Sequence, residues 1–386
     1  MPPEDIESFI RLYGSTKRSW LRAGYGFTRN RDGAANMHAV SCLPAVTGAW
    51  AQPGGGALNS MGGAFSGLDR RLLDGPEHSA RTLDLCRIGR HGGPPVSVML
   101  VQNANPATIA PDSDWVRGEL TRDDLTLIVH EQVMTATAQL ADLVFPATTF
   151  LEHADLYASY GHGFLQRAKP VIAPVGEARS NHRFIAGLAT RLGLDDPSTR
   201  MDEEAMIDAV LAASGLDFGG ATWLDLSPDF DAAHFRHGFG HPDGRFHFAT
   251  PWSDLPDHHG TIDAPTPDRP LRLITPPSIH FLNSTFGDSP TQRRLAGRPT
   301  VDIHPADALG VFDGDVVRLG NDRASVRLHA RVTETVAPGV VSVEGLWPGD
   351  AFLDGIGINR LTSSDSIAPN GGAPYHDTAV WLKRDP

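Results

Sequence analysis

The chain has 386 residues, 40% of them hydrophobic, with 46 acidic against 33 basic side chains and a formal net charge of −13. That length suits roughly two to three domains with real cores, and the charge argues against nucleic acid or an anionic membrane surface as partner. Two cysteines, Cys42 and Cys86, with no C-x-x-C, exclude a disulfide framework and show no cysteine-ligated zinc or iron–sulfur site.

The acidic start MPPEDIESFI has neither the basic flank nor the apolar centre of a signal peptide. No apolar run reaches the roughly 18 residues of a membrane span, so the chain reads as cytoplasmic. Residues 2–13 predict a helix: Pro2 and Pro3 open it, Ile6, Phe9, Ile10 and Tyr13 share a face, and Gly14 stops it. Residues 20–25 suggest a short strand running into Gly24-Tyr25-Gly26. A second helix is expected over 34–46, with Cys42 as a small buried hydrophobe and Gly48 as its stop. Gly54-Gly55-Gly56 then breaks the pattern. It either lets a backbone approach a ligand closely or is a plain flexible turn. Residues 61–95 read as irregular.

The region 98–153 carries the most information. Apolar strands are predicted over 96–101, 125–129 and 143–145, separated by helical segments. Continuous Val/Ile/Leu strands of this kind read as a parallel sheet covered on both faces. Ligands of such sheets bind outside the carboxyl ends of the strands. Those ends hold Gln102-Asn103-Ala104-Asn105-Pro106 and His130-Glu131-Gln132.

Ser180 caps a predicted helix with Phe184, Ile185, Leu188 and Leu192 on its apolar face. Another helix is expected over 203–213. Residues 215–270, rich in Pro, Asp, Gly and His, read as loops ending in the linker APTPDRP at 264–270. After Pro270 the character changes. Strands are predicted over 271–274, 315–319, 325–332 and 340–343, with Asp313-Gly314-Asp315 and Gly320-Asn321-Asp322 as turns. This tail reads as a separate all-β domain, a small barrel.

A carboxylate at Glu131 can accept both N–H bonds of guanine's N1/N2 edge. A ribose diol is the other common target, and an ordinary exposed glutamate looks the same in sequence. Asn103, Asn105 and Pro106 form a turn whose backbone N–H groups can face a phosphate. Gly24-Tyr25-Gly26 lacks the third glycine of a dinucleotide fingerprint, which counts against a nicotinamide-dependent dehydrogenase. Ser278, His280, Asn283, Ser284 and Thr285 put five hydrogen-bonding side chains within eight residues. Asn359, Thr362 and Asp365 form a second polar loop. A capped surface loop is the plain alternative for both. There is no H-E-x-x-H, no H-x-x-E-H and no G-x-S-x-G, and His234-x-x-His237 and His258-His259 read as solvated loop histidines. The residues themselves name no catalytic group and no metal ligand.

The runs GYGFTRNRDGAANMHAVSCLPAVTGAWAQPGGG and NANPATIAPD…LTLIVHEQVMTATAQLADLVFPATTFLEH resemble the molybdopterin oxidoreductases of the dimethyl-sulfoxide-reductase family. DIHPADALGVFDGDVVRLGN and INRLTSSDS resemble that family's C-terminal molybdopterin-dinucleotide-binding domain. The resemblance implies α/β parallel-sheet domains followed by an all-β double-psi β-barrel. It divides the chain into the end of a first α/β nucleotide-binding domain (1–60), a second α/β domain (61–265) and the barrel (268–386). It implies a cofactor of molybdenum, or tungsten, held by two molybdopterin guanine dinucleotides. Glu131 takes the position of an acidic residue that reads guanine, with Asn103, Asn105 and Thr135 near the same nucleotide. Ser278, His280, Asn283, Thr285, Asn359 and Thr362 match the segments that line the pterins, and Gly24, Gly26 and Gly54–Gly56 match the end of the other nucleotide-binding domain. Relatives usually begin with a cysteine-rich iron–sulfur segment and later supply the metal ligand. Neither has a counterpart here, so the expectation is the C-terminal part of such an enzyme, acting on a small-molecule substrate. A further segment or subunit would carry the iron–sulfur cluster. The alternative is a non-catalytic structural subunit or truncated homologue.

Overall fold

A computed structural model describes residues 2–73, 95–249, 263–367, 369 and 371–385. In chain order the first elements are α1 (Pro3–Ser15), β1 (Trp20–Arg22), α2 (Gly33–Val46) and β2 (Gly56–Leu58). Next come β3 (Val98–Gln102), α3 (Pro106–Ile109), α4 (Ser113–Leu120), β4 (Thr126–Glu131) and β5 (Leu143–Pro146). β6 (Asp155–Tyr157), β7 (Phe164–Ala168), α5 (Asn181–Arg191), α6 (Glu203–Ala213), β8 (Trp223–Asp225) and α7 (Phe230–Ala233) follow. The tail holds β9 (Leu271–Ile274), α8 (Pro290–Ala296), β10 (Thr300–Ile303), β11 (Val316–Gly320), β12 (Ser325–Val332), β13 (Val340–Ser342) and β14 (Thr378–Arg384). The described residues fall into two compact units. The first draws on residues 2–27, 34–73 and 148–249, and the second on 28–33, 95–147 and 263–385. Among them no helix is long and apolar enough to cross a membrane.

In the first unit, α1 starts on a proline with Glu4 and Asp5 in its first turn, where a carboxylate meets the helix's partial positive charge. β1 pairs parallel with β2, and β6, β7 and β8 form an antiparallel sheet. Leu165 of that sheet packs with Ile207 and Leu211 of α6, and with Phe65 and Phe218. Asp202 caps α6 by accepting from Ala205 N at 2.8 Å. Ser180 caps α5 as expected, accepting from Arg183 N at 3.2 Å. The apolar face expected on that helix is not buried. Only Ala189 is, while Ile185, Leu188 and Leu192 are 40%, 37% and 65% exposed.

In the second unit, β3, β4 and β5 form a parallel three-stranded sheet. Leu127 and Val129 of β4 and Val101 of β3 pack on Val116 and Leu120 of α4, a small closed core. β9 to β14 close a barrel in the order β10-β12-β11-β14-β9-β13. The pairs β10–β12 and β9–β13 are parallel and the rest antiparallel. Val326, Leu328 and Ala330 alternate inward along β12, as the sequence predicted, and join Leu273, Ile303 and Leu319 in the core. Beside the barrel, the side chain of Asp377 is completely buried. It is matched by Arg31 and Arg272, each at 2.9 Å, and by Asp263 N at 2.9 Å. Burying that charge is tolerable because it is paired and hydrogen-bonded on both oxygens.

Further expectations need correcting, among them Cys42, which is half-buried rather than buried. Residues 215–270 are not all loop, since they contain β8 and α7. The barrel uses β10 and β14, which the tail's composition did not announce. His234 is not a solvated loop residue: it is half-buried and its Nδ1 lies 2.7 Å from Trp50 O. Cys86, His258 and His259 lie outside the described residues.

Candidate functional site

The loops at the carboxyl ends of β3 and β4 are tied together by one buried amide. Asn105, 8% exposed, stands just before α3. Its Oδ1 accepts from Thr137 Oγ1 at 2.8 Å and from Thr137 N at 3.2 Å, and Thr137 Oγ1 accepts from Ala107 N at 3.1 Å. This fixes Asn105 Oδ1 inward as acceptor. Its Nδ2 has no hydrogen bond among the described residues. Thr135, half-buried, caps the turn that follows by accepting from Ala138 N at 3.2 Å.

A cleft of about 330 Å³ opens beside this joint. One wall is Asn105, Ser113, Arg117, Thr135 and Gln139, from the sheet end of the unit. The other is Ser284, Gly287, Asp288 and Arg293, with the loops Pro348-Gly349-Asp350 and Gly355-Ile356-Gly357, all from the barrel segment. Close packing leaves little room for a side chain at two of these glycines, against backbone at Gly349 and against the Pro348 ring at Gly287. A Cβ on Gly349 would lie 2.7 Å from Gly355 O, and one on Gly287 would lie 3.0 Å from Pro348 Cγ. Arg293 pairs with Asp350 at 3.1 and 3.2 Å. Arg117 is half-buried, and its guanidinium has no partner among the described residues.

The structure therefore brings Asn105 and Thr135 into one cleft. Glu131, half-buried at the tip of β4, stands outside the lining and takes Gln132 N on its Oε1 at 2.8 Å. Asn103 is exposed with a left-handed φ of 53°. In the barrel segment, Ser278 Oγ accepts from His280 N at 3.1 Å, while the half-buried His280 ring has no partner among the described residues. Asn283, φ 53°, forms with Ser284 the tight turn closed by Thr285 N on Leu282 O at 2.9 Å. That puts Asn283 and Thr285 on the surface. Asn359 is buried: its Nδ2 donates to Thr108 O and Ile109 O at 3.1 and 3.0 Å, and its Oδ1 is buried without a partner. Thr362, fully buried, donates to Asn359 O at 3.0 Å.

Gly24 and Gly26 belong to the first unit, where both are exposed. The close approach suspected at Gly54–Gly56 is to the protein itself: a Cβ on Gly55 would lie 2.2 Å from Ala49 O, and one on Gly56 2.4 Å from the Trp50 ring. Among the described residues no three His, Cys, Asp or Glu side chains gather as a metal site. Sequence reasoning missed Arg117, Arg293 and the glycine loops of the cleft. The spacing P-G-D…D-G-I-G at 348–357 was the available signal; a single arginine on a short helix gave none.

Residues 9–191 match the family model described as molybdopterin oxidoreductase, and residues 271–380 match the molybdopterin dinucleotide binding domain. The chain belongs to the molybdopterin oxidoreductases of the dimethyl-sulfoxide-reductase family. It is 30% identical to the "Probable oxidoreductase YoaE" of Bacillus subtilis, over 99% of this chain and 59% of that protein. It is 27% identical to the dimethyl sulfoxide/trimethylamine N-oxide reductase of Rhodobacter capsulatus, over 95% and 54%. An acetylene hydratase from Pelobacter acetylenicus shares the fold, with a TM-score of 0.66 at 17% identity, over 84% of this chain and 50% of that one. The chain thus spans about half to three-fifths of the length of these two curated relatives. The family's dinucleotide fits what the cleft offers. Its walls carry amide and hydroxyl side chains, an arginine without a partner and closely packed glycine backbone, and the buried acceptor of Asn359 lies on the same barrel loop.

Proposed function

We propose that this chain is the cofactor cradle of a bis-molybdopterin-guanine-dinucleotide oxidoreductase, acting in two-electron or oxygen-atom transfer on a small-molecule substrate. The observation that carries this reading is the cleft at the tips of β3 and β4, closed by barrel loops, with Asn105 and Thr135 in its wall. The bound molybdenum or tungsten pterin supplies the electron-transfer chemistry, and the protein binds, orients and tunes it. Asn105 offers its two Nδ2 hydrogens as donors. Glu131, two residues before the lining segment that starts at Val133, is the carboxylate for guanine. The loops holding Ser278, His280, Asn283 and Thr285, and the buried pair Asn359 and Thr362, are assigned to the pterin side. Gly24 and Gly26 are assigned to the second nucleotide. The parallel pairs β10–β12 and β9–β13 support a double-psi topology for the barrel.

The test is to denature the purified chain and assay the supernatant for guanine nucleotide and for pterin fluorescence. Both are expected. A chain that releases neither is a structural homologue without cofactor, and the reading fails.

A further inference from the structure

The cleft contains one cation that, among the described residues, the fold itself does not use. Arg117 sits in the last turn of α4, where the helix carbonyls favour a cation. It is half-buried, lines the cleft, and makes no ion pair or side-chain hydrogen bond among the described residues. The other half-buried arginines of this cleft and its surroundings are engaged. Arg293 is bound to Asp350, Arg122 to Glu119 at 3.2 Å, and Arg360 to Asp114 at 2.6 Å. Of the two acids in the cleft wall, Asp350 is matched by Arg293, and Asp288 is exposed to water, which screens it. An unmatched, half-buried guanidinium among amide and hydroxyl side chains suits a doubly anionic oxygen cluster that it can grip with two parallel bonds.

We propose that Arg117 is the phosphate anchor of the nucleotide in this cleft, and that phosphate, rather than the base, is what it recognises. This rests on the cradle reading above and assigns it a residue that neither the sequence motifs nor the family comparison single out. Asn105 Nδ2 and the hydroxyls of Ser284 and Thr135 line the same cleft and complete a donor set for one nucleotide.

The test is calorimetric titration of the full chain with GDP, GMP and guanosine, on the parent and on Arg117→Gln and Arg117→Lys. Removing a charged hydrogen-bonding partner should weaken GDP and GMP about 10- to 100-fold in Arg117→Gln while leaving guanosine unchanged. Arg117→Lys should recover part of the loss, keeping the charge but not the planar fork. Raising salt should weaken GDP more for the parent than for Arg117→Gln. The melting temperatures of the unliganded variants should stay close to the parent's, because Arg117 makes no ion pair or side-chain hydrogen bond among the described residues and a single charge at a helix end contributes little. Parent-like GDP binding by Arg117→Gln, or a parent that binds guanosine as tightly as GDP, overturns the phosphate role while leaving the cleft a nucleoside site. A parent that binds none of the three overturns the cradle reading, and this one with it.

Discussion

Asn105 shows how a polar residue can hold the frame with one atom and keep its donors unused among the described residues. Its oxygen is committed to Thr137, so its amide hydrogens are turned the other way. Glu131 is freer: one oxygen takes its neighbour's N–H and the carboxylate otherwise faces no basic group among the described residues. If it reads guanine, Glu131→Ala should weaken retention of guanine nucleotide by about 1.5–3 kcal/mol, measured as nucleotide released per mole of protein. Retention equal to the parent's would remove Glu131 from the site. His376 behaves differently. Burial holds its pKa below the ordinary value of 6.5, against the opposing pull of Thr275 O at 3.3 Å. As pH falls below 6.5 the unfolded chain binds a proton that the folded one refuses, so stability drops with acid and the loss levels off below the folded pKa. His376→Gln should flatten the fall in melting temperature between pH 7 and about 5.5; a parallel fall in both proteins would assign the acid sensitivity elsewhere.

At the level of elements, caps and strands were legible where the cause is local. Ser180 sits before α5 with its hydroxyl on Arg183 N and also donates to Glu203 Oε1 at 2.5 Å. Ser180→Ala should cost about 1–2 kcal/mol in urea unfolding. A smaller loss would mean that Asn181 or water takes over the cap. β3, β4 and β12 were readable because apolar residues run continuously or alternate, which a buried or half-buried strand requires. β10 and β14 were not. Thr300–Ile303 is short and carries Asp302, and it is a strand because β12 and β13 flank it. Thr378–Arg384 is made a strand by β9 and β11. α4 is eight residues long with Gly118 inside it, too brief for periodicity to stand out. The cleft was half legible for the same reason. The strand tips with Asn105 and Thr135 announce themselves by position, whereas Arg117 and the glycine loops acquire meaning only when about 250 residues of separation are folded away.

Over the whole molecule, the barrel is a non-local object. β9 and β14 are neighbours across a sequence gap of about 100 residues, and β14 bridges β9 to β11. Pairings of this span are slow to form because the loop entropy is lost before any contact compensates it. On a ribosome adding residues from the amino end, the inner faces of β9 to β13 must stay wet until the segment 378–384 has emerged. For that interval the nascent chain shows two unpaired strand edges to the cell, and a bound ligand or chaperone present then would decide whether they meet each other or a stranger.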